Sequence, residues 1–401
     1  MMSKKPRTRG RAMSKACCPM AAGHVRPGAG AARHKALMSG DSVEPIRLRP
    51  HVNVADMVDH CYARSGFNGR RLAEACRLYS HMIKAQATIG LTLSGAMTPI
   101  GMQGFLIDLM EAGFIDWIIS TGANLYHDLH RAFDCPVQQG HWAVDDNELA
   151  DEHIARIYDV FISDEDTLMA TDQVIMAAVE EIDRRRPMST AELHWQLGRA
   201  LAKRAPHPEK SMLIAAQKYD VPIYTSSPGD SSIALALVLP HMFGKDIQLD
   251  PLKDVIETAA LIRAADENGV VLIGGGSPKN FYLQTQPVLD QFLHDERGGG
   301  HDYFIQLTTD APHWGGLSGA TPSEAKSWGK VKDALVNNVV VYSCASLTFP
   351  LLAQYALIRN KPRKPRRLYK TIDARVEEMR TAAAKNPKLR KAFAALGVRP
   401  G

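Results

Sequence analysis

The chain has 401 residues, 45% hydrophobic and 23% charged, the proportions of an ordinary globular protein with room for one large α/β domain or two small ones. Its net charge of +5 is unevenly spread: residues 1–40 carry nine Lys/Arg and no acid, residues 359–401 carry fourteen against three acids, and residues 41–358 keep 25 basic and 40 acidic side chains, a net of −15. Basic ends without a basic patch of base-reading residues exclude nucleic acid as the expected partner, and the acidic middle suits a cationic small-molecule substrate.

Taken in chain order, the first forty residues have no apolar core of a secretory signal. They read as a disordered basic tail, or as an upstream start with Met38 the true one. Cys17, Cys18, Cys61, Cys76, Cys135 and Cys344 form no C-x-x-C pair and no zinc or disulfide spacing, so the expectation is a reducing cytoplasm and no metal site. Residues 59–86 read as helical, with Leu72, Ala75, Cys76, Tyr79 and Met82 at three-to-four spacing. The uncharged runs 85–107 and 336–358 are broken by Pro, Ser, Thr or Gly, which makes them buried strand-plus-helix pairs rather than membrane spans. Strands are expected at 88–93, 114–120, 221–225, 270–273, 303–308 and 339–343. Helices are expected at 99–111 and, opened by the capping box of Ser189 and Glu192, up to about 204. Short strands alternating with helices predict a parallel sheet with helices on both faces and ligands at the strands' carboxyl ends. Residues 359–367 read as a basic linker and 371–396 as a solvated helical tail. The resulting division is a basic tail over 1–45, the α/β domain over 46–360, and linker plus tail over 361–401.

Gly-rich turns fall at the predicted carboxyl ends. Gly274, Gly275 and Gly276 precede a helix that Ser277 would cap, with Pro278 at its first position; such a turn admits a pyrophosphate, or is simply a tight connection. The turn Thr121, Gly122 and Ala123 reads the same way. No G-x-G-x-x-G follows an early strand, so any dinucleotide site is atypical. Asp230 would bind a ribose hydroxyl or a cation, or cap a helix. His127, Asp128 and His130 lack zinc-protease spacing and are expected to be exposed polar residues.

The segment from Ser323 to Val331 places Glu324, Trp328 and Lys330 together after a Gly-rich turn containing Gly315. A lysine works as a covalent catalyst as the neutral amine, which needs its ammonium pKa lowered from about 10.4 by desolvation. This segment, with IDWIISTGANLYHDL, VPIYTSSPGDSS and VLIGGGSPKN before it and VVVYSCASLTFPLLA after it, resembles the deoxyhypusine synthase family over 53–358, and most closely its prokaryotic deoxyhypusine synthase-like branch.

The resemblance implies a Rossmann-like α/β fold, NAD as cofactor, and a homotetramer with sites at dimer interfaces. It implies transfer of an aminobutyl-type group from a polyamine such as spermidine to an acceptor amine, either a protein lysine or a free diamine. It makes Lys330 the nucleophile and assigns Glu324, Trp328 and Gly315 to the polyamine. Thr121, Gly122, Ala123, Asp230, Gly275, Thr309 and Ala345 would contact NAD. Departures from the family's eukaryotic-type enzymes are also visible: these have glutamate at His127, histidine at Asn280, and aspartates at Leu235, Leu317 and Cys344. Those losses point to a donor with fewer cationic nitrogens than spermidine, or one whose distal group is not an ammonium; a free diamine as acceptor would make the reaction one of homospermidine synthesis. A non-catalytic NAD- or polyamine-binding protein is the other alternative.

Overall fold

A computed structural model describes residues 29–47 and 49–395. Residues 29–45 form a unit of their own with the helix Ala29–Leu37, exposed over residues 33–37, and the remainder of the chain forms the second unit. The rest of the expected basic tail, residues 1–28, lies outside the described residues.

The second unit is built on six parallel strands: β1 (Thr88–Leu93), β2 (Trp117–Ser120), β6 (Ile223–Thr225), β7 (Asn268–Ile273), β8 (Tyr303–Thr308) and β9 (Asn338–Tyr342). Spatially they run β6-β2-β1-β7-β8-β9, which is 3-2-1-4-5-6 when counted within the sheet. That is the doubly wound dinucleotide-binding order, with its switch point between β1 and β7. Alternate side chains feed two cores. Ile118, Val271, Ile273, Ile305 and Val341 face one set of helices, including Phe67–Lys84 and Ala345–Arg359. Trp117, Ile119, Val270, Leu272 and Phe304 face Pro251–Arg263 and Gly276–Pro287. Burial on both faces explains why these strands are apolar without alternation. On the second face Trp117 stacks on Tyr282 at 4.6 Å between ring centroids. Gly90 makes room for that pair, because a Cβ there would lie 2.3 Å from the Tyr282 ring.

β1 and β8 coincide with the sequence reading, and β2, β6, β7 and β9 differ from it by one to three residues at an end. The helix expected from 99 starts at Gln103, since tight turns occupy 98–102. An antiparallel sheet of β3 (Val137–Gln139), β5 (Val160–Ser163) and β4 (Ile154–Ile157) was not anticipated.

The Arg-rich segment read as a linker is a strap. Arg363 donates to Asp116 at 2.7 Å and to the Ala87 carbonyl at 2.9 Å, while Arg367 donates to Asp220 at 2.6 Å. It therefore crosses the amino ends of β1, β2 and β6, opposite the Gly-rich turns. The tail beyond it is helical, Ile372–Lys385 and Pro387–Ala395, but not simply solvated. Leu368, Ile372 and Met379 are buried in the second core, and the first of these helices packs on Pro251–Arg263.

Candidate active site at the carboxyl edge of the sheet

Lys330 is positioned by its backbone. Its N–H donates to the Ala325 carbonyl at 2.9 Å and its own carbonyl accepts from His301 N–H at 3.0 Å, which ties it to the residue leading into β8. Gly329 reaches it through φ +68°, a conformation that favours glycine. The Lys330 Nζ donates to Asn280 Oδ1 at 3.0 Å and lies 5.7 Å from the Trp328 ring centroid. Burial lowers the pKa of this half-buried amine, and the negative charge of Glu324 opposes the shift. Asn280 is a neutral acceptor, so it orients the amine without fixing the proton as a carboxylate would. Glu324 sits in the first turn of Pro322–Ser327, where the Thr321 hydroxyl accepts its N–H at 3.2 Å. Trp328, 60% exposed, forms an open rather than a closed wall.

The residues that resemblance assigns to NAD all follow carboxyl ends of the sheet. Thr121 follows β2, Asp230 lies in the turn after β6, Gly275 after β7, Thr309 after β8, and Ala345 begins the helix after β9. Two loops are in contact at Gly122, where a Cβ would lie 2.0 Å from Ser231 Oγ. Ala123, Asp230 and Thr309 are exposed at this edge. Asn124, overlooked in the sequence, is the hub of these loops: its Oδ1 accepts from the Met97 and Thr98 amides, and its Nδ2 donates to the Gly95 carbonyl at 2.6 Å. Its position inside an apolar helix pattern was the available signal.

The turn after β7 differs from the expected cap. Ser277 lies inside the helix Gly276–Pro287, and Gly275 occupies the capping position. Its amides are partly engaged: Gly275 N–H donates to Ser94 Oγ and Gly276 N–H to Ser318 Oγ, both at 2.8 Å. The turn nevertheless leaves part of its backbone unobstructed. Gly276, at φ +59°, would find nothing within 4 Å of an added Cβ, so the backbone is open to a ligand at the switch point. The buried Thr225 hydroxyl at the end of β6 also has no partner among the described residues. These residues fit a dinucleotide. Asp230 does not cap the following helix, whose N-terminal flank is Ser231.

The histidine cluster is not a set of exposed polar residues. His130 and Asp128 are buried, and His127 is half-buried with Nδ1 2.8 Å from His130 Nε2. Burial lowers His127 to about 4 and His130 to about 3, so both are neutral. Asp128 instead caps Met212–Tyr219, accepting from the Met212 and Leu213 amides and the Ser211 hydroxyl. Among the described residues no group of His, Cys, Asp and Glu could hold a metal ion, and no helix is long and apolar enough to cross a membrane. Leu235, Leu317 and Cys344, at the departures from the family pattern, are exposed.

Lys279 is the residue that the sequence reading passed over. It is 2% exposed, and its Nζ donates to Gln306 Oε1 at 3.0 Å and to the carbonyls of Ser318 at 3.2 Å and Ala320 at 2.7 Å.

Comparison with known proteins agrees with this architecture. The deoxyhypusine synthase family matches residues 56–356. A deoxyhypusine synthase-like protein of Nostoc punctiforme is 42% identical over 350 residues, 85% of this chain and 89% of the relative. One from Thermosynechococcus vestitus is 43% identical, over 84% and 86% of the two chains. A crystal structure described as "a putative deoxyhypusine synthase" from Entamoeba histolytica superposes with a TM-score of 0.53 at 16% identity, over 78% of this chain and 96% of that one, a likeness of fold.

Proposed function

Because the chain belongs to the deoxyhypusine synthase family, we propose that it is an NAD-dependent transferase moving an aminobutyl-type group from a polyamine, through an imine on Lys330, to an acceptor amine. The observation that carries this reading is the state of Lys330: partly desolvated, pKa lowered, oriented by a neutral amide and flanked by Trp328 and Glu324. A binding module has no use for a lysine prepared in this way.

NAD, when bound, supplies a reversible hydride acceptor that lets an amine become an imine. Thr121, Gly122, Ala123, Asp230, Gly275, Thr309 and Ala345 would hold it along the carboxyl edge. Lys330, as the neutral amine, adds to the imine carbon of the donor, and the departing nitrogen takes a proton as it leaves. The new imine stays on Lys330 until an acceptor amine displaces it and frees the lysine; the acceptor imine would then take back the hydride removed from the donor and become a secondary amine. Glu324 attracts the distal ammonium of the substrate. Trp328 supplies an apolar face, and Gly315, at φ +74° with no neighbour within 4 Å of an added Cβ, leaves passage for the chain of the amine.

The acceptor is a protein lysine or a free diamine. Exposed Leu235, Leu317 and Cys344 replace carboxylates of the family, which favours the diamine reading and a donor with fewer cationic nitrogens. Trp314, Leu317, Trp328 and Leu347 are 51–67% exposed around the site, and a second copy of the chain would cover them, in keeping with a homotetramer. The four described cysteines are free thiols, which fits a cytoplasmic protein. The test is purified protein with NAD and a panel of diamines and polyamines, read by NADH formation and by amine exchange. At least one amine should be oxidised and transferred; a full panel with neither signal overturns the proposal.

A further inference from the structure

Lys279 lies under two loops that belong to different halves of the site. It is carried by the helix that starts at the Gly274–Gly276 turn, yet two of its bonds go to the segment that continues from Gly315. Those bonds accept at the carbonyls of Ser318 and Ala320, and the third at the Gln306 side chain, so every ammonium proton is engaged. Gln306, on β8, completes the joint: its Nε2 donates to the Gly274 carbonyl at 2.9 Å and to the Ser318 carbonyl at 2.7 Å. Ser318 Oγ accepts the Gly276 amide, and a Cβ on Gly275 would lie 2.4 Å from Ser318 Cα. Among the described residues no carboxylate touches the ammonium; Glu324 and Asp310 act on it through space and Lys330 repels it. A lysine buried among carbonyls is an expensive way to hold a loop, which argues that the joint itself is used.

We infer that Lys279 is a positioning residue that couples the glycine turn of the cofactor side to the Gly315–Ala320 loop of the amine side, so that occupation of either side tightens the other. The inference rests on the NAD and amine assignment above. Coupling of this kind is reciprocal and commonly amounts to about 5–150-fold in affinity. Lys279 does not touch substrate; its effect passes through the carbonyls it holds.

The test is a pair of titrations on the full-length protein. The dissociation constant of NAD is measured with and without a saturating non-reacting diamine analogue, in wild type and in Lys279→Met, which keeps the aliphatic stem and loses the ammonium. Wild type should show at least about a fivefold tightening, and Lys279→Met should bring the factor near one with a similar melting temperature. Chymotryptic cleavage after Trp314 in the absence of ligand should also be faster in the variant, because the loop has lost its anchor. Equal coupling and equal cleavage in both proteins overturn the inference and leave the proposed function standing. Failure of wild type to bind NAD or any amine sinks the proposed function, and the coupling with it. Should Lys279→Met not fold, Gln306→Met gives the same reading: loss of coupling supports the joint and its retention overturns it.

Discussion

Replacing Arg363 by methionine tests the strap at its most buried point. Asp116 is fully buried and Arg363 is 7% exposed, and the guanidinium also holds the carbonyls of Ala87 and Gly113. Removing one partner of a buried pair costs about 3–5 kcal/mol, and Arg366, 3.6 Å from Asp116, compensates part of the stranded charge and sets the expectation at the lower end. The pH dependence identifies the cause. Burial pushes the Asp116 carboxyl up, while Arg363, the Ile89 amide and Arg366 pull it down. Without Arg363 the carboxyl rises further, so the folded variant binds a proton that the unfolded chain has released. Stability of the variant relative to wild type therefore falls as pH rises, and the deficit is smallest under acid conditions. Urea denaturation at about pH 5.5 and about pH 8 should show the larger loss at the higher value. Arg363→Met combined with Asp116→Asn should recover at least half of it, because the stranded charge is gone. A loss below about 1 kcal/mol, or a double variant no better than the single, refutes the reasoning.

Leu317→Asp, restoring a carboxylate to the exposed amine-side loop, should raise kcat/KM for spermidine relative to diamines by on the order of tenfold, the worth of one charge-assisted hydrogen bond; an unchanged ratio argues against this loop as the reader of the distal nitrogen. Glu257 is pushed up to about 7 by burial, with Asp254 beside it also at about 7. A raised carboxyl favours the folded state below its unfolded pKa and loses that contribution as pH climbs to about 7, so Glu257→Gln should gain up to about 3 kcal/mol at about pH 8 and little at about pH 4, read as melting temperature against pH. NAD at a hundred times its dissociation constant should stabilise the protein by about 2.7 kcal/mol, a rise of a few degrees in Tm; a flat melting temperature at saturation contradicts the dinucleotide site.

The sheet was legible because its strands are short, apolar and closed by Gly- or Ser-rich turns, and β1 and β8 fall on the residues expected. The small sheet was not, since β3 holds three residues, two of them glutamines, and packs by pairing rather than by pattern. The strap failed to announce itself because Arg363 meets a carboxylate 247 residues earlier, a distance at which a basic run reads only as solvated. Asp128 and His130 look exposed in the sequence for a related reason: their partners lie far along the chain, Asp128 capping Met212–Tyr219 and His130 meeting the Thr171 hydroxyl. Lys330 could be found from its wording, with Trp328 and Glu324 in step. Lys279 could not, because its partners are mostly backbone carbonyls of another loop, and carbonyls leave no mark in a sequence.

The central claim is a covalent bond to Lys330, and reductive trapping tests it most directly. Borohydride added during turnover with NAD and a productive amine should leave a stable aminoalkyl adduct on the peptide containing Lys330. Lys330→Arg, whose guanidinium stays protonated, should form none and transfer nothing. Turnover with NADH formation and no adduct at Lys330, or an adduct elsewhere that persists in Lys330→Arg, would contradict the account.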